Sequence, residues 1–457
     1  MMRSRNLYLM LPALAMFVCA PHADGQTYTL NPLLLNDSVQ VPGGSDLFHF
    51  NEEAGFSIDE NLISLTQNAP SCDAYNGIWM MNVSSGQITQ LVALGSSAPQ
   101  THGETFAFST CLPPNEDEVF GGYSVLKGKR VALLGCAGAP GSCWGVYSVA
   151  AAAGHKPTVV ANQFTVLPGV SQMGSMNFST APTGVVHADD QHVVFTPYSS
   201  FSPGSGLAVF VANIDGSALA ELAGPNVSVE YPNSNCNIAL NSFMQPRVTG
   251  NNVIFLGSSG FPGPSPVGLF LTGLTGIPLT TPTCTPNGYY AYPPLATDQT
   301  VLTGVPSTVR LESNSSLLAI NQKEIYFTAA SPQAAPQPTA IFAESISAAA
   351  GGTGTPRPIL RLTTQLPGFP APPYAITALS AQFDTLVFEA APVGTGINGI
   401  FVYQSGAFTR VVGTGDAFDG DVIKNVYLNS NSLSNSRIVF GFACDFISGI
   451  ALATPGA

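Results

Sequence analysis

The sequence predicts an all-β chain folded as a seven-bladed β-propeller whose last blade is closed by an N-terminal strand. Three observations carry this. One strand–turn–strand unit recurs seven times, at spacings of about 50 to 70 residues. The seventh copy stops short, and its missing strand is found near the N-terminus. The composition suits short strands and turns, with 46 Gly, 37 Pro and only 9% charged residues, against about 25% in an ordinary soluble domain. Gly and Pro penalise helix interiors and favour turns.

Each unit opens on a polar turn and a β-branched or aromatic strand, as in Ser432–Phe440. These strands end at Leu65, Leu133, Phe195, Phe255, Phe327, Phe388 and Phe440. Partner strands begin near Gly77, Gly145, Gly206, Gly268, Ala340, Gly399 and Gly449. Outer strands are expected near Ile88–Leu94, Thr158–Ala161, Leu219–Ala223, Ile277–Thr280, Ile359–Leu362 and Phe408–Val412. A fainter strand before the turn, as in Ser45–Phe50 or Thr105–Phe108, brings each unit to four. Apolar runs such as Val193-Val-Phe195 fit sheets buried on both faces. Stacking the sheets around an axis covers those faces, and closing the ring removes the exposed ends.

Closure is legible in two ways. Leu33–Gly44 resembles Thr409–Gly420, and the residues after Phe440 together with Gln26–Leu65 make up one repeat length. The expected ring therefore packs Leu33–Leu35 beside Gly449–Ala453. Two β-sandwich domains are the alternative, disfavoured because no linker interrupts the repeat.

The N-terminus reads as an export signal. Arg3 and Arg5 precede the apolar run Leu7–Ala20, which is too short to cross a bilayer comfortably. Ala23 and Gly25 place cleavage after Gly25, with Ala23 as the alternative, leaving residues 26–457 as a single propeller domain, secreted or periplasmic, with no membrane span. A net charge of −13 lacks the basic footprint of nucleic-acid binding. Export also fits the 8 Cys, of which Cys19 leaves with the signal and seven remain. Cys136 and Cys143 flank a turn-rich loop and form the best candidate disulfide. Cys72–Cys111 and Cys236–Cys284 are weaker pairs, which leaves Cys444 as the odd thiol.

The recurring patterns Ser432-Leu-Ser-Asn-Ser-Arg-Ile-Val-Phe440, Gly399-Ile-Phe-Val-Tyr403 and Val411-Val-Gly-Thr-Gly-Asp416 resemble a family of secreted bacterial repeat proteins with propellers related to the TolB and NHL types. The resemblance is strongest over Phe388–Ala457 and Asn61–Ala98. It implies the fold and no settled activity, and it supplies no catalytic residues. Asp419 departs from the pattern, standing where the family has Pro before Gly420.

No Gly-x-Ser-x-Gly or His-Glu-x-x-His motif is present. Lys127-Gly-Lys-Arg130 lacks the spacing and the Ser or Thr of a phosphate loop. His187-Ala-Asp-Asp-Gln-His192 could ligate zinc if folded back, but it aligns with the polar turn of other repeats, where Asp189 and Asp190 act as turn formers. Asp416, Asp419 and Asp421 read as an interblade loop before a calcium site. Glu116, Asp117 and Glu118 read as a solvated run. His49, Glu52 and Glu53 could face the central channel. Tyr289, Tyr290 and Tyr292, in a Pro-rich loop, are the candidate ligand-binding residues, since Tyr offers a flat apolar body with a polar tip. These observations imply no cofactor. They point to a binding or interaction module for an extracellular glycan, peptide or protein. The alternative is a hydrolase or lyase, acting on a polysaccharide or peptide at the channel mouth.

Overall fold

The computed structural model describes residues 27–456 apart from loops, the longer of them 49–54, 68–76, 100–104, 108–123, 138–143, 169–185, 230–237, 259–266, 276–289 and 331–337, and some shorter gaps. The expected export signal, residues 1–25, lies outside the described residues. Seven small antiparallel sheets form a seven-bladed propeller. From the channel outwards, blade 1 runs Phe56–Asp59, Leu62–Gln67, Gly77–Asn82 and Ile88–Ala93. Blade 2 runs Ser124–Lys127, Arg130–Ala137, Trp144–Ala150 and Thr158–Asn162, and blade 3 Val186–Ala188, His192–Phe195, Val209–Asn213 and Ala220–Ala223. Blade 4 runs Ser242–Thr249, Asn252–Ser258, Val267–Gly273 and Ala296–Thr297, and blade 5 Leu318–Ile320, Glu324–Ala330, Pro338–Ser345 and Arg357–Leu360. Blade 6 runs Tyr374–Gln382, Thr385–Pro392, Gly399–Gln404 and Ala407–Gly413. In blade 7 the innermost position is split between Asp421–Tyr427 and Leu433–Ser434, followed by Arg437–Cys444, Ser448–Pro455 and, outermost, Tyr28–Leu35.

The N-terminal strand thus closes the ring as its sequence predicts, with Leu34 opposite Ile450 and Leu35 opposite Gly449. Each innermost strand touches the next around the axis, including blade 7 against blade 1.

The alternation of side chains along a strand accounts for the apolar runs. In blade 7, Ile438 and Phe440 point into the cluster shared with blade 6, while Val439 points into the cluster shared with blade 1. The same split separates Val193 and Phe195 from Val194, and Ile254 and Leu256 from Val253 and Phe255. Seven buried apolar clusters result, one in each gap between neighbouring blades. The repeated terminal Phe has a further partner. Phe195, Phe255, Phe327 and Phe388 each lie directly opposite a Phe of the next strand, in stacked pairs 5.3–5.7 Å apart.

The repeated glycine has an equally local cause. A Cβ on Gly77 would sit 2.0 Å from the Val92 carbonyl oxygen, and one on Gly449 would sit 2.1 Å from that of Leu34. At both places the outermost strand carries a register shift that brings its backbone inwards.

Several boundaries differ from the sequence reading. In blade 3 the third strand starts at Val209, and Gly206 instead ends a short strand, Ser202–Gly206, that pairs with blade 4. The outer strand of blade 4 is Ala296–Thr297, while Ile277–Thr280 lies outside the described residues. The faint innermost strand of blade 1 is Phe56–Asp59 and not Ser45–Phe50. Phe106–Ala107 pairs with the far end of Arg130–Ala137, beyond the innermost strand Ser124–Lys127. These strands are only two to five residues long, too short for a two-residue alternation to show. One five-residue helix, Ile346–Ala350, is present among the described residues, and no described helix is long and apolar enough to cross a membrane.

Just before that helix, Glu344 is 3% exposed, and its Oε2 has no hydrogen-bond partner among the described residues. Burial raises its pKa from 4.5 to about 6. A carboxyl raised on folding contributes stability that is full below pH 4.5 and lost as pH rises through about 6. Glu344→Gln is therefore expected to melt higher than the parent at pH 7.5 and not at pH 4, measured as melting temperature against pH. Equal shifts at both values would contradict this.

Candidate functional site

The hairpin turns that join each innermost strand to the second strand all gather at one end of the channel. The residue entering each turn is polar in all seven blades: Asp59, Lys127, Asp189, Thr249, Asn321, Gln382 and Ser434. All seven line a single cavity of about 490 Å³. The turns are tight. Gly128 and Lys129 both have positive φ, as do Asn435 and Ser436, the backbone of two-residue hairpins. A Cβ on Gly128 would sit 2.6 Å from the Asp190 carbonyl oxygen, so glycine there lets blades 2 and 3 approach at the mouth.

The rim is acidic. Asp59, Glu60, Asp189 and Asp190 line the cavity against one Lys127. Lys127 Nζ lies 3.7 Å from Asp59, whose other oxygen accepts a hydrogen bond from Gly128 N at 3.1 Å. Burial pushes the Asp59 pKa up. Lys127 and the Gly128 N–H oppose that rise, while Asp190 and Glu60 add to it. Asp189 Oδ1 accepts from the backbone N–H of Gln191 at 2.8 Å and of His192 at 2.7 Å, the turn role its sequence predicts.

His187 lies one layer deeper, buried, with Nδ1 accepting from Val248 N at 3.2 Å and a further hydrogen bond to the Asn431 side chain. Burial first, then the charges of Arg247 and Lys127, hold its pKa well below the usual imidazole value. It is a neutral group fixed between blades 3, 4 and 7. His192 stands apart from it, with Nδ1 3.3 Å from Asp189 Oδ1. The two histidines do not converge, and no group of three metal-ligating side chains occurs among the described residues.

Below His187 the channel narrows to a cavity of about 90 Å³, lined by Gln245, Arg247, Ser124, Thr377 and Asn431 among others. Arg247 is 5% exposed, with Nε donating to Leu318 O at 3.2 Å and Nη1 to Pro246 O at 3.0 Å. Sequence reasoning missed Arg247, Gln245 and Asn431. The available signal was Gln245-Pro-Arg247, a polar interruption in an otherwise apolar strand. Gln245 has φ +49, and the register shifts between Met244 and Arg247. That bulge turns the two side chains into the channel.

Other sequence candidates lie elsewhere. Asp416 accepts from Gly413 N and pairs with Arg410 at 2.9 Å, Asp421 accepts from Val422 N and Phe446 N, and Asp419 occupies a turn with φ +50. Each serves the local loop. Tyr290 and Tyr292 belong to a short strand whose backbone runs parallel to Val227–Val229, in a three-stranded sheet separate from the blades. Tyr289, His49, Glu52, Glu53 and Glu116–Glu118 lie outside the described residues. So does Cys143, while the backbone of Cys136 pairs with Trp144. Cys444 is a free thiol, its pKa raised to about 11 chiefly by burial and then by Asp421, Asp445 and Asp419.

No protein-family model matches the chain, and no curated protein matches it. Among solved structures it is similar to the polysaccharide lyase Uly1, with a TM-score of 0.43 and 10% identity over 94% of this chain and 99% of that one. It is also similar to the β-propeller domain of the Trilobed protease from Pyrococcus furiosus, with a TM-score of 0.41 and 6% identity over 89% and 94% of the two chains. A prolyl endopeptidase gives a TM-score of 0.39 and 9% identity over 85% of this chain, which spans only 45% of that enzyme. These likenesses concern the fold alone.

Proposed function

We propose that this chain is a secreted or periplasmic binding module, a propeller of the TolB and NHL kind, that takes a hydroxyl-rich ligand such as a glycan end in its channel mouth. One observation carries the reading. All seven blades place a polar side chain on one cavity of about 490 Å³, within the usual size range of small-molecule sites. The acid excess of the rim disfavours polyanions and suits neutral or cationic ligands. His187 and Asp189 are already held by hydrogen bonds of the fold, an arrangement that favours recognition over proton transfer.

Gln322 lines the mouth and is exposed. In a titration of neutral oligosaccharides against the mature chain by calorimetry, Gln322→Trp is expected to weaken binding at least about tenfold, the loss of one well-placed contact, with its melting temperature unchanged. Binding that survives this substitution, or no binding to any neutral glycan, overturns the reading. Asp59 supports the second reading, a hydrolase or lyase at the same mouth, because its raised pKa and its neighbour Lys127 are what a proton-transferring carboxyl needs. Product formation by the parent, abolished in Asp59→Asn, would decide for the enzyme.

A further inference from the structure

We propose that the channel holds a second site beneath its mouth, an inner subsite centred on Arg247 that binds one small carboxylate anion. The argument starts from a charge without a countercharge. Arg247 is 5% exposed, and its two assigned hydrogen bonds go to the backbone carbonyls of Leu318 and Pro246. Its Nη2 has no acceptor and its guanidinium no ion pair among the described residues. Two carbonyl dipoles offset part of the desolvation of a buried cation and leave its unit charge unmatched.

A buried lysine or histidine in this position would lose its proton, as His187 beside it does. Arginine keeps its charge at neutral pH, because burial lowers its pKa only to about 10. The neighbouring groups do not supply a negative charge. Lys127, at the rim above, adds positive potential at His187 and is matched by Asp59. Glu389 is a buried carboxylate whose partners Thr377 and Leu428 line this cavity. It is committed elsewhere, accepting from Asn398 Nδ2 and Leu428 N, both at 3.0 Å, and from the Thr377 side chain.

The space beside the guanidinium is about 90 Å³ and is bounded by polar groups of Ser124, Thr377 and Asn431 and by apolar Phe56, Val125 and Val186. That volume takes an acetate-sized anion and excludes a sugar ring. One unmatched charge in a half-apolar wall favours a monoanion over a dianion, which would itself be left in excess. A flat carboxylate, with one oxygen on Nη2 and a methyl or methylene against the apolar side, satisfies both surfaces. Asn431 lines this cavity and the larger one, so the carboxylate can be that of a free small acid or the acid end of a hydroxylated ligand entering through the mouth. The proposal stands on Arg247 and does not require the mouth to bind a neutral glycan.

The test uses the mature chain at constant ionic strength, with acetate and gluconate as probes. Acetate is expected to raise the melting temperature by a few degrees in a saturating manner, and the rise is expected to vanish in Arg247→Met while persisting in Gln322→Trp. Gluconate acting more strongly than acetate, and losing that advantage in Gln322→Trp, identifies the acid end of a larger ligand. Equal strength identifies a free small acid. Should Arg247→Met fail to fold, crystals of the parent soaked in bromoacetate give an independent answer, with bromine expected in the inner cavity beside Arg247. An acetate response identical in the parent and Arg247→Met, no response in the parent, or an inner cavity free of bromine overturns the proposal.

Discussion

Deleting residues 26–35 is expected to leave a chain that no longer unfolds in one cooperative transition. The strand Tyr28–Leu35 is the outermost strand of blade 7, registered from Tyr28 opposite Pro455 to Leu35 opposite Gly449. Its loss exposes the edge of Ser448–Pro455 and opens the gap between blades 7 and 1. There Leu34, 2% exposed, packs in the same cluster as Phe56, Ile63, Trp79 and Ile450. In a ring every blade is flanked twice, so an open gap uncovers two sheet faces at once and leaves an unpaired edge. Two point substitutions grade the effect. Leu34→Ala removes a buried side chain and is expected to cost about 2–5 kcal/mol. Gly449→Val directs a branched side chain at the Leu34 carbonyl oxygen, which a Cβ alone would approach to 2.1 Å. It is expected to approach the deletion in severity. Urea unfolding followed by tryptophan emission reads this directly, because Trp79 is 1% exposed and sits in the affected cluster. A deletion variant with the parent's midpoint and slope would show that the ring does not depend on its closing strand.

The ring closure, the blade count and the two-faced apolar strands were legible because each is written in short periodic runs. Phe388 and Phe401, or Phe195 and Phe210, face one another across strands, so the same pair recurs in sequence whenever it recurs in space. Gly77 and Gly449 recur for a steric reason that repeats with the blade. The innermost strands were harder to read. Phe56–Asp59 and Ser124–Lys127 are four residues long and end on the half-buried polar residues Asp59 and Lys127, so each offers only three residues of pattern. The site was legible only in part. His187-Ala-Asp-Asp-Gln-His192 was readable as a turn, and it is one. That six other turns meet it around a cavity follows from closure of the ring, which no local stretch encodes. Arg247 carried even less signal. Its meaning is the absence of a partner, and absence in space leaves no mark in a sequence.

Glu389→Ala is expected to loosen blade 6 from blade 7 and to cost about 2–6 kcal/mol, from the two buried N–H donors of Asn398 and Leu428 left unmet at about 1–3 kcal/mol each. Glu389 is 7% exposed on the second strand of blade 6. Its Oε1 accepts from Asn398 Nδ2 and its Oε2 from the backbone N–H of Leu428, each at 3.0 Å. Asn398 extends the link, donating to Val426 O at 2.7 Å and accepting from Val426 N at 3.1 Å. The irregular stretch between the two halves of the blade 7 innermost strand is thereby tied to its neighbour, where a regular ladder is missing. Burial raises the Glu389 pKa against the lowering effect of Thr377, Leu428 and Asn398. The sign of the pH dependence follows. With the folded pKa above the usual 4.5, the contribution of the carboxyl is full below that value and declines as pH rises through the folded pKa. Glu389→Gln keeps the shape, turns an amide N–H₂ towards one of the donors, and cannot titrate. It is expected to lie about 1–3 kcal/mol below the parent, with the gap narrowing from pH 4 to pH 7.5. Urea titrations of the parent and both variants at the two pH values give these differences. A gap that widens with pH would mean that the ionised carboxylate, not the protonated one, is the form the fold prefers, and a gap near zero in Glu389→Ala would mean that blades 6 and 7 are held by the apolar cluster of Val387, Ile400, Ile423 and Ile438 alone.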